Sequence, residues 1–310
     1  MTPNRSRNVA IGLLFVTVLC AGEFACGQES ERADASTQAL VVNAWQRDTV
    51  IHVAVFNRSE KPETASVGVG VHDVGDRVFS TSTAAIASHS FQLLMFPTTE
   101  VVSPRGDAQR PDSVFVSAPH IESWPQPIQN AYPDRTQGGL DNYLVQAGSE
   151  VVFEFRPRIA PALQLLFVPR TIDAGAGIEC TGESLSDAMR PLSQQEFSGI
   201  DLPGPYRDEI LARTGGNFAF LLPAGQREPV RIRYVTPAVA DCANVAIPFY
   251  QYTLAADGSI QSGGGVGAVF TVYNPDAIRP DFANMAPAPS DAGTLTRKQP
   301  APKSAEKPAP

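Results

Sequence analysis

Strict two-residue alternation recurs along this chain, and no other feature limits the fold as tightly. In Ala65-Ser66-Val67-Gly68-Val69-Gly70-Val71-His72, three valines share one side while Gly68, Gly70 and His72 share the other. Glu150–Arg156 places Val151, Phe153 and Phe155 inward and Glu150, Glu154 and Arg156 outward, and Val230-Arg231-Ile232-Arg233-Tyr234 repeats the pattern. Side chains of a strand point alternately to opposite faces, so such runs predict half-buried strands. Leu163–Val168 is apolar throughout, which suits a strand covered on both faces. The chain's 27 Pro and 24 Gly supply turns, and only 18% of its 310 residues are charged. The predicted fold is mainly β: two immunoglobulin-like β-sandwich domains, the second with a short helical insert.

Punctuation along the chain divides it. Ala39–Trp45 and Thr49–Phe56 predict a hairpin across Gln46-Arg47-Asp48, and further strands at Arg77–Ser80, Ser90–Phe96 and Ser113–Ser117 complete a first sandwich over 38–122. Residues 123–142, with Trp124-Pro125-Gln126-Pro127 and Gln137-Gly138-Gly139, read as a connector, and 143–285 as the second sandwich. Its insert is expected at 184–214. There Leu185, Ala188, Met189 and Leu192 have helical spacing up to the break at Pro191, and Pro205–Thr214 has Pro first and Gly215-Gly216 after it. Asp257-Gly258 reads as a hairpin turn, and Gly263-Gly264-Gly265 as a flexible part of the same loop. Residues 286–310 are rich in Pro, Ala and Lys and carry too little apolar surface to fold. Arg297, Lys298, Lys303 and Lys307 outnumber Asp291 and Glu306, so this tail could serve as a basic arm toward an anionic polymer.

The first 27 residues point outside the cytoplasm. Arg5 and Arg7 precede the apolar run Val9–Cys20, which is too short to span a bilayer, and small residues follow. Ala25-Cys26-Gly27 fits an ordinary cleavage site before Gln28. Cys26 followed by a polar tether over 28–37 also resembles the start of a bacterial lipoprotein, although Glu23 departs from the aliphatic residue usual three positions before the lipidated cysteine. Either route leaves Cys180 and Cys242 as an even pair in an oxidising compartment, for which a structural disulfide is expected.

Residues 38–122 resemble bacterial immunoglobulin-like domains of the CARDB type. The likeness rests on Ile51-His52-Val53-Ala54-Val55-Phe56-Asn57-Arg58-Ser59, on Val67-Gly68-Val69-Gly70-Val71, and on Ala87-Ser88-His89-Ser90-Phe91 before a strand. Ser59 stands where the family carries Gly, and the last turn lacks the family's Pro-Gly. The resemblance implies a sandwich with a binding or spacing role.

No nucleophile elbow, zinc-protease helix, haem motif or phosphate loop appears. A formal charge of −8 argues against nucleic acid as a partner. All four histidines, His52, His72, His89 and His120, lie in the first domain, which makes them candidate metal ligands although none pairs at ligand spacing. Arg156, Arg231 and Arg233, with Arg158 and Arg170 on neighbouring segments, are candidates for an anion-binding face. The sequence therefore predicts a non-catalytic, cofactor-free envelope protein, periplasmic or outer-membrane-associated, that binds another envelope protein or polymer. It would meet the membrane only through a lipid at Cys26. The alternatives are a secreted hydrolase of envelope polymers with acids dispersed in sequence, and a histidine-based metal handler.

Overall fold

The first hairpin forms as the alternation predicts. Strands β1 (Leu40–Arg47) and β2 (Val50–Asn57) pair antiparallel with Trp45 opposite His52. Asp48 turns the chain with φ of +53°, a left-handed conformation that Asp tolerates better than most side chains. Strands β3 (Glu63–Val71), β4 (Arg77–Ile86), β5 (Ser90–Pro97), β6 (Ser113–Ala118) and β7 (Ile121–Pro127) follow. The computed structural model describes residues 39–72, 77–99, 110–119, 121–131, 138–157, 162–173, 179–186, 189–200, 207–213, 215–255 and 260–281. The predicted export signal, Cys26, the polar tether, the tail, His120, Arg158 and the Asp257-Gly258 turn lie outside the described residues.

Sheet β1-β2-β5 faces sheet β4-β3-β6-β7, and the inward residues meet: Ile51, Val53, Val55, Leu94 and Phe96 against Ala65, Val67, Val69, Ala84 and Val114. Burying each large aliphatic or aromatic side chain contributes about 1.5–3 kcal/mol before chain entropy is opposed to it. Strand β7 corrects the boundary of the expected connector. Its Pro125 and Pro127 pair opposite Phe115 and Ser113 at the edge of the sheet, where a missing N–H costs no ladder bond.

The second unit contains β8 (Gly138–Leu140), β9 (Leu144–Gln146), β10 (Glu150–Phe155), β11 (Leu163–Pro169), β12 (Thr171–Asp173), β13 (Glu179–Ser184), helices α1 (Gln194–Ser198) and α2 (Arg207–Arg213), and β14 (Asn217–Leu222), β15 (Val230–Val235), β16 (Cys242–Leu254) and β17 (Ile260–Tyr273). Sheet β12-β13-β15-β10-β8 packs on sheet β14-β11-β16-β17-β9 around Phe153, Phe155, Phe220, Phe249, Phe270 and Tyr234.

The helical insert lies over the other face of the β11-β16 sheet, where Phe197 and Ile210 meet Leu165, Phe167, Tyr252 and Leu254. Strand β11 is thereby covered on both faces, as its unbroken apolar run predicts. Helix α2 falls inside the predicted Pro205–Thr214 segment. The described residues of the predicted helix over Leu185–Leu192, at its two ends, are not helical: the Leu185 N–H donates to Arg231 O, and Leu192 bridges to Ala219. The helix starts after Pro191, where Ser193 and Glu196 form a reciprocal capping box for α1. The glycine run also differs from expectation. Gly263-Gly264-Gly265 sits inside β17, opposite Tyr252, Gln251 and Tyr250, because the Tyr252 and Tyr250 rings occupy the space that Cβ atoms at Gly263 and Gly265 would need.

The two sandwiches share a core. Val41, Trp45, Ala54, Phe56, Phe91 and Leu93, on the outer face of β1-β2-β5, join the hydrophobic cluster of the second unit. Phe56 and Phe91 stack at 4.8 Å, and Tyr273 tilts against both at 6.1 and 5.4 Å. Trp45 stacks on Tyr143 at 5.3 Å. Polar groups fix the register of this contact. Buried Asn43 donates to Tyr143 O at 3.2 Å, Asn244 donates to Val42 O at 2.9 Å, and Arg58 pairs with Asp241 at 2.7 Å. The side chain of Gln129 donates to Asn43 Oδ1 and Val269 O and accepts from the Val269 N–H. Strand β18 (Arg279–Pro280) then returns to the first sandwich and pairs parallel with β5, so the segment expected to close the second domain completes the first.

Candidate functional site

Among the described residues, a network of charged side chains lies on the outer face of sheet β12-β13-β15-β10-β8. Alternation turns Glu150, Val152 and Glu154 of β10 outward beside Arg231, Arg233 and Val235 of β15. The β10–β15 register sets Glu154 opposite Arg231 and Val152 opposite Arg233, and the β13–β15 register sets Glu183 opposite Arg233. Opposite charges at such cross-strand positions attract. Arg231 Nε lies 3.2 Å from Glu154 Oε1, and Arg156 Nε donates to Glu154 Oε2 at 2.9 Å. Arg233 lies 3.6 Å from Glu150 and hydrogen-bonds Glu183. The Glu183 contact, joined by the negative charge of Glu150, raises the Arg233 pKa above its ordinary value.

This geometry corrects the anion-binding expectation. Arg156, Arg231 and Arg233 do share a face, but each is met by a carboxylate, so three cations stand among three anions. Arg170 is elsewhere: it donates to Asn217 O at 3.0 Å and lies over the Phe218 ring at 4.9 Å. At one end of the ladder an open depression of about 490 Å³ is lined by Glu150, Thr181, Gly182, Glu183, Arg233, Val235, Thr236 and Pro237. Val235 is 51% exposed there, an apolar contact point inside a charged frame. A Cβ at Gly182 would come within 2.6 Å of the Tyr234 ring, so the close approach of backbone to ring requires glycine. Thr236 is buried, and its hydroxyl reaches Gln146 O and Ser149 O, which ties the rim to the β9–β10 turn. The arrangement is a face of paired charges around one exposed valine.

The histidines do not converge. His52 lies on the outer face of β2, stacked on Trp45 at 5.4 Å and in register with Met95 of β5. Burial, and then the Arg47 charge, lower its pKa, and its buried Nδ1 has no hydrogen-bond partner. The backbone N–H of His72 donates to Asp112 Oδ1 at the end of β3, in the other sheet of that sandwich. His89 occupies the β4–β5 turn with φ of +47°, its Nε2 3.1 Å from Glu60. Among the described residues no group of three His, Cys, Asp or Glu side chains is placed to hold a metal ion. The shared metal site expected of these histidines is therefore corrected for His52, His72 and His89.

The disulfide expectation is corrected as well. Cys180 and Cys242 are free thiols, both buried in the shared core. Cys180 belongs to β13 in one sheet and Cys242 opens β16 in the facing sheet. Burial pushes the Cys180 thiol up to about 11, and burial with the neighbouring Asp241 charge pushes Cys242 up to about 12. As free thiols in the folded chain, both are thus held protonated at neutral pH. Among the described residues, no helix is long and apolar enough to cross a membrane.

No protein-family model matches the chain, and no curated protein matches it. Three solved structures similar to it are a collagen adhesin from S. aureus, a transglutaminase from red sea bream and a membrane-anchored protein from Corynebacterium diphtheriae. The collagen adhesin shares 9% identity over 76% of this chain and 92% of its own, with a TM-score of 0.25. The transglutaminase shares 10% over 76% of this chain and 32% of its own, at 0.20. The membrane-anchored protein shares 9% over 76% of this chain and 59% of its own, at 0.27. At such scores none of the three assigns this chain a function.

Proposed function

We propose that this chain is a non-catalytic binding or assembly protein of the bacterial cell envelope, exported through residues 1–27 and either anchored at Cys26 or released at Gln28. The observation that carries the reading is the charge ladder: Glu154 and Glu183 are held by Arg231, Arg156 and Arg233 on an open sheet face, an arrangement that suits recognition rather than proton transfer. The sharing of one core by both sandwiches supports it, since a joined body presents that face in a fixed orientation. The CARDB-type resemblance of residues 38–122 belongs to the same reading, as does a partner that is another envelope protein or polymer. The test is co-sedimentation of the exported full chain with purified envelope fractions, beside a variant carrying Arg231→Glu and Arg233→Glu. We expect the parent to sediment with one fraction and the variant to lose most of that binding while keeping its circular dichroism. A full chain retained in the cytoplasm with Met1 uncleaved would overturn the compartment. Turnover of an envelope polymer abolished by Glu154→Gln would replace binding with catalysis.

A further inference from the structure

Strand β17 has two sides, and they are treated differently. On one side it pairs with β16 in unbroken register from Cys242 opposite Tyr273 to Thr253 opposite Ser262. On the other, β9 covers only Thr271–Tyr273, and the Gln129 side chain takes the N–H and carbonyl of Val269. The Thr271 N–H donates to Tyr143 O, also away from β16. Odd-numbered residues of β17 therefore direct their backbone groups to this outer side, and the two-residue period extends that to Gly267, Gly265 and Gly263. Among the described residues no strand pairs with them, and all three are exposed. Strand β8 passes near this edge but pairs with β10 in the facing sheet.

Edges of this kind are normally blunted by charge, proline or a cover. At the opposite edge of the same sheet, β14 is bridged at Ala219 by Leu192, and in the first sandwich the edge strand β7 of the β4-β3-β6-β7 sheet carries Pro125 and Pro127. Ile260–Ala268 has neither a charged residue nor a proline. Its glycines leave the backbone bare, while the Tyr250 and Tyr252 rings lie over Gly265 and Gly263 and keep the face packed.

We propose that this edge is a strand-addition site whose occupant is the same edge of a second copy of this chain, paired antiparallel about Gly265. That arrangement sets Gly263 of each copy opposite Gly267 of the other. Outward N–H groups then meet outward carbonyls at all three glycine positions, the self-complementarity a two-fold interface requires. Ile260–Ala268 itself carries no charge to oppose its copy, although the chain carries a net −8. The pairing joins two five-stranded sheets into one continuous sheet.

Sedimentation velocity of the full chain across a concentration series tests this, beside Gly267→Pro and Gly267→Lys. Proline removes an N–H that faces the edge and not the β16 ladder. A Cβ at Gly267 meets nothing nearer than Ile247 O at 3.7 Å, so both variants can fold. We expect the parent to dimerise in a concentration-dependent way and each variant to move the midpoint upward about tenfold or more, the equivalent of about 1.4 kcal/mol. Amide exchange at Gly263, Gly265 and Gly267 of the unmodified chain should slow as the dimer forms. A parent that stays monomeric to about 100 μM, a dimer indifferent to both substitutions, or glycine amides that exchange alike in monomer and dimer would each overturn the proposal.

Discussion

Removing the Gln129 side chain at Gln129→Ala tests whether the two sandwiches are one body. Three hydrogen bonds disappear together: to Asn43 Oδ1 at 2.8 Å, to Val269 O at 2.6 Å, and from the Val269 N–H. The Val269 N–H loses its acceptor, and Val269 O keeps only a long contact of 3.5 Å from Asn43. Each bond contributes about 0.5–1.5 kcal/mol net, and a stranded, partly buried donor costs about 1–3 kcal/mol. Gln129 is only half-buried, so water can replace part of what is lost. We therefore expect a destabilisation of about 2–3 kcal/mol, which lowers Tm by roughly 4–12 °C for a body of this size. Urea unfolding followed by Trp fluorescence and by circular dichroism reads it out, and the two probes should separate if the sandwiches uncouple. The double variant with Asn43→Ala should cost less than the sum of the two single variants by about 1 kcal/mol, since the two side chains share a bond. A loss under about 0.5 kcal/mol for Gln129→Ala would refute the reasoning, because that is the scale of an ordinary surface substitution.

The pKa shifts give two opposite pH dependences. Cys180 and Cys242 titrate near 11 and 12 in the folded chain against 9 unfolded. The unfolded chain thus loses their protons first, and stability should fall as pH rises from about 9 toward 11; peptide mapping after thiol labelling at pH 8 should find both modified only in denaturant, and modification of the native chain would contradict their burial. His52 has its pKa lowered from 6.5, so the unfolded chain takes up the proton first and stability should fall as pH drops below about 6.5; His52→Phe should remove that component, and an imidazole midpoint at or above 6.5 by NMR would contradict the shift. Arg231→Glu sets like charges opposite Glu154 and should destabilise by about 0.5–1 kcal/mol at low salt, a loss that shrinks at about 0.5 M salt; equal losses at both ionic strengths would mean that lost packing, not charge, is responsible.

Periodicity made much of this fold legible. Val67-Gly68-Val69-Gly70-Val71 and Val230–Tyr234 became strands with the expected faces inward, and Leu163–Val168 became a strand covered twice. What periodicity could not supply is the identity of a partner strand. Arg231 and Arg233 were legible as neighbours on one face, but the pairing of Arg233 with Glu183 depends on a register set between residues fifty positions apart. Pro125 and Pro127 signal a break when read locally, and only an edge position, which is a tertiary fact, lets them sit in a strand. The glycines of β17 mislead for a related reason: Tyr250 and Tyr252 fill the space above them from across the hairpin. Other signals were present in the residues. Ser193-Gln194-Gln195-Glu196 is a capping box that marks the start of α1 more directly than the spacing of Leu185 and Leu192 does.

Strand β2 shows why the two sandwiches cannot be understood one at a time. Ile51, Val53 and Val55 are fully buried against the first core, and Ala54 and Phe56, of the opposite parity, are as fully buried against the second. A strand at the solvent-facing surface of an isolated sandwich would alternate apolar with polar, so apolar residues at both parities mark a second interface. The apolar contacts of Phe56, Phe91 and Trp45 can drive that docking but do not fix it, since apolar attraction is non-directional. Direction comes from Asn43, Gln129 and Asn244, whose amides each reach a backbone group across the junction. Sliding the sandwiches by one residue would strand the buried Asn43 amide, at about 1–3 kcal/mol. It would also break the bonds of half-buried Gln129 and exposed Asn244, whose amides water can satisfy at a smaller cost. The Gln129 amide closes the Val269 end of β17, which leaves the glycines from Gly263 to Gly267 as the free edge among the described residues. The junction thus sets both the orientation of the charged face and the length of strand left open to a partner.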